Sequence, residues 1–340
     1  MPNLPQEVLA DILSDAVPKP PCHDYAEWWE RQRSLASFAL VHTSWTSIAQ
    51  ALLFAECRIL SRDHEILRKA AAGLVLTSGR VKTQWLTVTG DLIALLEVTG
   101  FERWKDVTYL VHAGDNTFLT PPERYGKFPQ LETLILEHGD FLIRELDPPV
   151  TFPHLRRLVL ACSTLINGCI SACQMVFSPA YMPHLSHLSL DVKYQEIDVL
   201  DQVFGEILPQ ITCFAISDHE SQEPQPALVQ GLHRFSRLAH LSVSQTRTDN
   251  LVSNLFTFTD PSLSLRLKSV YLPAEMILIE PDLGGRLIDI AKGRRANFEI
   301  ARIVLYGSKE EIGKKMVLSE LLDLEWRPGE KPPFADFDGR

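Results

Sequence analysis

The chain has 340 residues, of which 45% are hydrophobic and 22% charged, with a formal net charge of −10. That length exceeds a usual single domain, and the apolar content suffices for a core, so wholesale disorder is excluded. The acidic balance disfavours general nucleic-acid binding, and no apolar run approaches the ~20 residues of a membrane span.

The opening Met1-Pro2-Asn3-Leu4-Pro5 has neither the basic head nor the apolar run of a signal peptide. Six scattered cysteines give no disulfide framework, and no N-x-S/T sequon occurs. The expectation is an intracellular protein of a reducing compartment, in cytoplasm or nucleus, with no membrane or nucleic-acid partner.

Residues 1–57 carry three helix signals. Pro5 suits a first helical turn, and Val8, Leu9, Ile12, Leu13 and Ala16 follow at helical spacing. Ser34 is a candidate N-cap for a short second helix bearing Leu35, Phe38 and Val41. Ser44 is a candidate cap for a third, with Trp45, Ile48, Ala49, Leu52 and Leu53 on one face. Three short helices make a small core, so part of this apolar surface needs cover from elsewhere. Residues 58–79 read as a helical linker, with Ile66, Leu67, Ala70 and Leu74 on its apolar side.

Beyond residue 80 the pattern becomes a repeat. The form L-x-x-L-x-L occurs at Leu131/Leu134/Leu136 and returns at Leu155/Leu158/Leu160, Leu185/Leu188/Leu190, Ile211/Phe214/Ile216 and Leu238/Leu241/Val243. Looser copies are Leu267/Val270/Leu272 and Ile300/Ile303/Leu305, and upstream Thr83/Leu86/Val88 and Val107/Leu110/His112 keep the register. Several copies share a lead-in: Phe128-Pro129, Phe152-Pro153, Met182-Pro183 and Leu208-Pro209. Each copy is a short strand with alternate side chains turned inward, and 193–208, 282–293 and 309–325 read as helical returns. No single unit buries its own apolar edge, so the units must stack. The fold expected for 80–326 is therefore an α/β solenoid, followed by a Pro- and Gly-rich flexible tail over 327–340.

The repeats resemble irregular leucine-rich repeats, which implies a horseshoe. The departure is at the turn, where the usual Asn or Cys is missing and Gly139, for example, stands in its place. The opening Leu4-Pro5-Gln6-Glu7-Val8-Leu9-Ala10-Asp11-Ile12-Leu13, with Ala39-Leu40-Val41 and Trp45 after it, resembles an F-box. The stretch from Asp15 to Arg33, holding Trp28 and Trp29, is longer than in compact F-boxes and is expected to form a loop or added helix. The whole layout is similar to fungal F-box-like substrate receptors.

This resemblance implies the substrate-recognition subunit of a Skp–cullin–F-box ubiquitin ligase. The small helical module would dock on a Skp-type adaptor, and through it a cullin–RING ligase, while the repeats hold an unidentified protein substrate. The implied adaptor contacts are Leu4, Pro5, Glu7, Leu9, Ile12, Leu13, Leu40, Val41 and Trp45. The alternative is a leucine-rich-repeat interaction scaffold with no ligase role.

Signatures of other chemistry are missing from the sequence. There is no phosphate loop, no dinucleotide fingerprint and no nucleophile elbow. His64-Glu65 opens like a zinc-protease motif, but Arg68 stands where the second histidine must be. Cys169 and Cys173 have no second ligand pair. Residues 1–57 hold three basic against seven acidic residues, which argues against a DNA-binding helix set. The basic segment 286–315 reads as a solvated face, with an acidic patch on a partner as the alternative. No enzyme activity, cofactor or metal is expected.

Binding should then fall on the intervening strand positions, on the concave side. These include Trp85, Tyr109, Arg157, His187, Asp191, Tyr271, Arg302 and Tyr306 as candidate substrate contacts, among Thr133, Ile135, Val159, Ser189, Cys213, His240, Ser242 and Val304. Aromatic rings beside an arginine are typical anchors of protein recognition.

Overall fold

The computed structural model describes residues 5–20, 25–60, 69, 82–90, 92–113, 125–137, 150–161, 177–192, 203–218, 234–244, 265–273, 298–300, 303–307 and 325–328. They form a parallel-strand solenoid with a few helices, divided into two compact units, Met1–Gly139 with Gly339–Arg340, and Asp140–Asp338.

The first unit opens with α1 (Gln6–Asp15), α2 (Tyr25–Val41) and α3 (Thr43–Ala55). Leu9 and Leu13 of α1 are buried with Ala49, and Phe38, Ala39, Trp45, Ile48 and Leu52 pack around them. The expected single stripe on α1 is therefore split, because Val8 and Ile12 stay 43% and 48% exposed.

Helix α2 corrects the expected short second helix. Ser34 lies inside it, and the second half of the Asp15–Arg33 stretch is its first two turns. Arg31 is 1% exposed and donates through Nη1 to Pro18 O (2.7 Å) and through Nη2 to Leu52 O (3.2 Å). Gln32 Nε2 donates to Leu53 O at 3.2 Å. The last carbonyls of α3, which have no partner within their own helix, are thus capped by side chains of α2. Ser44 is not the cap of α3. His42 is, with Nδ1 accepting the Ser44 N–H at 3.1 Å.

Helix α3 runs directly into a strand, β1 (Glu56–Leu60), so the expected boundary at residue 57 falls inside a strand, and 58–60 are not helical. Of the rest of the expected linker helix, 61–79, only Lys69 lies within the described residues, and it is helical. Strands β2 (Trp85–Thr89), β3 (Tyr109–Ala113) and β4 (Thr133–Glu137) follow, each parallel to the one before it. Cys57 pairs with Leu86 and Ile59 with Val88, so Phe54/Cys57/Ile59 is a further copy of the repeat, ahead of the first one expected. Thr83 Oγ1 fixes that junction by donating to Phe54 O at 3.1 Å. Between β2 and β3, α4 (Leu92–Thr99) ends at Gly100, whose φ of 77° is a conformation that favours glycine.

The second unit carries β5 (Arg157–Ala161), β6 (His187–Val192), β7 (Cys213–Asp218), β8 (His240–Ser244), β9 (Leu265–Leu267), β10 (Ser269–Pro273), β11 (Phe298–Ile300), β12 (Ile303–Gly307) and β13 (Glu325–Pro328). The parallel order is β5-β6-β7-β8-β10-β12-β13, with β9 and β11 forming a separate parallel pair. Arg327 and Pro328 pair with Tyr306 and Gly307, so the tail expected from residue 327 begins inside a strand. Of the expected return helices, only 203–208 and 325 lie among the described residues; Val203 and Phe204 are helical, and Glu325 is strand.

The lead-in sequences explain the strand starts. Phe128, Phe152, Met182 and Leu208 are buried, and each carbonyl accepts the N–H three residues on, from Leu131, Leu155, Leu185 and Ile211. Proline follows the buried residue each time, at the turn position for which its fixed φ is suited. The leucines behind it then stack in the interior, with Leu86, Leu110 and Leu134 in one unit and Leu155, Leu158, Leu185 and Leu188 in the other, all at most 1% exposed.

Candidate protein-interaction surfaces

The first surface is on the helical module. Pro5 and Glu7 are exposed, Ile12 is half-exposed, and Leu40 and Val41 are 88% and 62% exposed. Leu40 and Val41 follow directly on Phe38 and Ala39, which pack on the Leu9–Leu13 cluster. Helices α1 and α2 therefore both present aliphatic side chains to solvent beside one small core. Leu9 and Leu13 are inside that core and hold the helices together, and Trp45 is half-buried with its ring edge-on to Phe38 (6.3 Å, 72°). Leu4 lies outside the described residues. Val8, on the same side of α1 as Ile12, belongs to this surface although the site reading left it out.

The second surface is the outward side of the strands in the first unit. Trp85, Tyr109 and Thr133 are register neighbours on β2, β3 and β4, and all three are half-buried. Thr87 and Val111 form the next row with the same partial exposure, and Ile135 closes it, buried.

The interior side of the same strands holds a polar residue that the repeat pattern registered only as an imperfect copy. His112 is 4% exposed, with Nε2 2.8 Å from Gly90 O and Nδ1 2.9 Å from Tyr125 Oη. A carbonyl only accepts, so Nε2 donates to Gly90 O, and in the neutral imidazole Nδ1 then accepts from the tyrosine hydroxyl. The buried imidazole therefore ties β3 to the turn after β2 and to the segment before β4.

The outward side of the second unit differs. Arg157, His187, Cys213, His240 and Ser269 are register neighbours across β5, β6, β7, β8 and β10. His187 bonds Ser186 Oγ (2.8 Å) and His240 bonds Ser269 Oγ (2.6 Å), each through Nδ1. Burial, and then the positive charge of Arg157 and of His240, lower the pKa of His187. Burial and Lys268 lower that of His240. The next row, Val159, Ser189, Ala215 and Ser242, is buried, and Tyr271 packs against Cys213 and Ala215. Among the described residues, Ser189 Oγ and Ser242 Oγ have no hydrogen-bond partner.

Of the substrate contacts expected from sequence, Trp85 is thus brought beside Tyr109, and Arg157 beside His187. Tyr271 is half-buried against Cys213 and Ala215. Asp191 and Tyr306 take their places on β6 and β12, and Arg302 lies outside the described residues.

Among the described residues, the two thiols, Cys57 and Cys213, are buried and held in the protonated form. Burial raises Cys57 to about 12, despite the opposing charge of Arg103, and burial also raises Cys213. Among the described residues, no group of three His, Cys, Asp or Glu is arranged to hold a metal ion, and no helix is long and apolar enough to cross a membrane. No family model matches the chain, and no curated protein matches it.

Proposed function

We propose that this chain is the substrate-recognition subunit of a Skp–cullin–F-box ubiquitin ligase, an F-box followed by irregular leucine-rich repeats in a horseshoe. The observation that carries the reading is the aliphatic surface of the helical module. Ile12, Leu40 and Val41 are exposed at positions where the F-box resemblance implies adaptor contact. Apolar side chains of this size on a small helical module favour a protein partner, because leaving them in water forgoes their burial energy. The stacked repeats beyond offer strand surface for the substrate, first at Trp85 and Tyr109, adjacent and half-buried.

The test is co-purification with a Skp-type adaptor. Ile12→Asp with Leu40→Asp should abolish binding while leaving the cooperative unfolding transition near that of the parent, since neither residue is in the core. Leu9 is unsuitable for this purpose, because a charge there breaks the module itself. Adaptor binding that survives the double substitution rejects the F-box reading and leaves the interaction scaffold.

A further inference from the structure

The segment in which this chain departs from a compact three-helix pattern has a feature that adaptor docking does not use. Tyr25, Trp28 and Trp29 open α2 at positions i, i+3 and i+4, so they share one side of the helix. Their rings form a cluster, with centroids 5.5 Å apart for Tyr25–Trp28 and 6.0 Å for Trp28–Trp29. Trp28 is half-buried and already holds a cation, the Arg58 guanidinium, 5.9 Å from its ring centroid. Arg58 is held there by Glu56, whose Oε1 accepts from Nε and Nη2 at 3.2 Å each.

Among the described residues, no cation lies over the outer two rings. Tyr25 and Trp29 are each 55% exposed and lie almost parallel, 6.4 Å apart and inclined by 9°. Leu60, on the same face of β1 as Arg58, is 48% exposed. Glu30 is exposed on the residue after Trp29, and Glu7, Asp11 and Asp15 are exposed on α1. Of the three basic residues of 1–57, Lys19 is tied to Asp15 at 3.2 Å, Arg31 is buried, and Arg33 is exposed one turn after Trp29. The module thus offers aromatic faces, which are themselves negative, next to the exposed Glu30 carboxylate, on a segment where seven acidic residues outnumber three basic ones.

We propose that Tyr25 and Trp29 form a docking site for a cationic segment of a partner protein, with Lys or Arg side chains over the rings and paired with Glu30. Arg58 over Trp28 is the chain's own instance of that contact. A second copy of this chain is the poorer occupant, because an isologous contact would bring Glu30 and its neighbours against their own copies. The site lies at the opposite end of α2 from Leu40 and Val41, so it does not depend on the adaptor reading.

The test uses the full chain and a fluorescently labelled octa-arginine peptide, with octa-glutamate and a Gly–Ser peptide of equal length as controls, at ~0.15 M salt. Saturable binding by octa-arginine alone is expected, weakened about tenfold in Tyr25→Ala with Trp29→Ala. Trp29→Phe, which keeps a ring face, should stay within about threefold of the parent. Both positions are exposed, so the unfolding transition should not move. Octa-arginine affinity that is unchanged in the double alanine variant overturns the proposal, since attraction would then be diffuse charge alone. A loss in Trp29→Phe equal to that in the double variant also overturns it, as does dimerisation of the parent that the alanine variant abolishes.

Discussion

The two units follow one strand rule yet bury opposite things. In the first, the interior row Val88–His112–Leu136 admits a histidine, while Thr87 and Val111 on the outward side stay half-exposed. In the second, Leu160, Leu190 and Ile216 keep the interior apolar, while the outward row Val159–Ser189–Ala215–Ser242 is buried. A buried polar group is tolerated when its hydrogen bonds are met. His112 meets both of its own, with Gly90 O and Tyr125 Oη, whereas the hydroxyls of Ser189 and Ser242 meet none among the described residues. Strand alternation thus fixes which side a residue takes, and it does not fix whether that side is covered.

Three experiments would break or sharpen this contrast. The largest effect is expected on the side where the units agree. Leu134→Asp and Leu158→Asp should each cost about 4 kcal/mol or more in urea denaturation, because a buried carboxylate is left unpaired. Thr133→Asp, one position away and half-buried, should cost no more than ~1 kcal/mol. Comparable damage at both positions would refute the register.

A smaller effect separates the units. Ser189→Ala and Ser242→Ala should each stabilise the chain by about 1 kcal/mol, since an unpaired buried hydroxyl is removed. Thr87→Ala should stay within about 0.5 kcal/mol. Destabilisation by the serine substitutions, seen as an earlier denaturation midpoint, would mean that the two rows do not differ in this way.

The smallest effect concerns pH. The pKa values of His187 and His240 are lowered in the folded chain from 6.5, first by burial and then by neighbouring positive charge. The unfolded chain therefore binds more protons in the window below that value. The stabilisation is fully present above about pH 6.5 and is lost as pH falls below it. Both imidazoles are partly exposed, which weakens the effect through solvent screening. Thermal midpoints measured from about pH 7.5 to 5.5 should fall, and the fall should flatten in His187→Gln with His240→Gln. An unchanged slope in that double variant would assign the dependence to other groups.

The sequence by itself determined the inward positions of the strands and the turns that start them. Leucine at alternate residues behind a buried apolar residue and a proline acts locally, and local patterns are legible in one dimension. Its failures share a cause. Strand β1 was concealed because Cys57 stands where a leucine marks the other copies, directly after a helix. Helix α2 was read too short because Arg31, a charge, sits at a core position. Only the tertiary structure supplies the Pro18 and Leu52 carbonyls and the Glu56 carboxylate around that guanidinium. The same holds for surfaces. Val8, Leu9, Ile12 and Leu13 are alike as letters, and packing against Ala49 and the side chains of α2 and α3 around it decided that Leu9 and Leu13 are core while Val8 and Ile12 face water. Exposure depends on neighbours remote in sequence, and no periodicity records them.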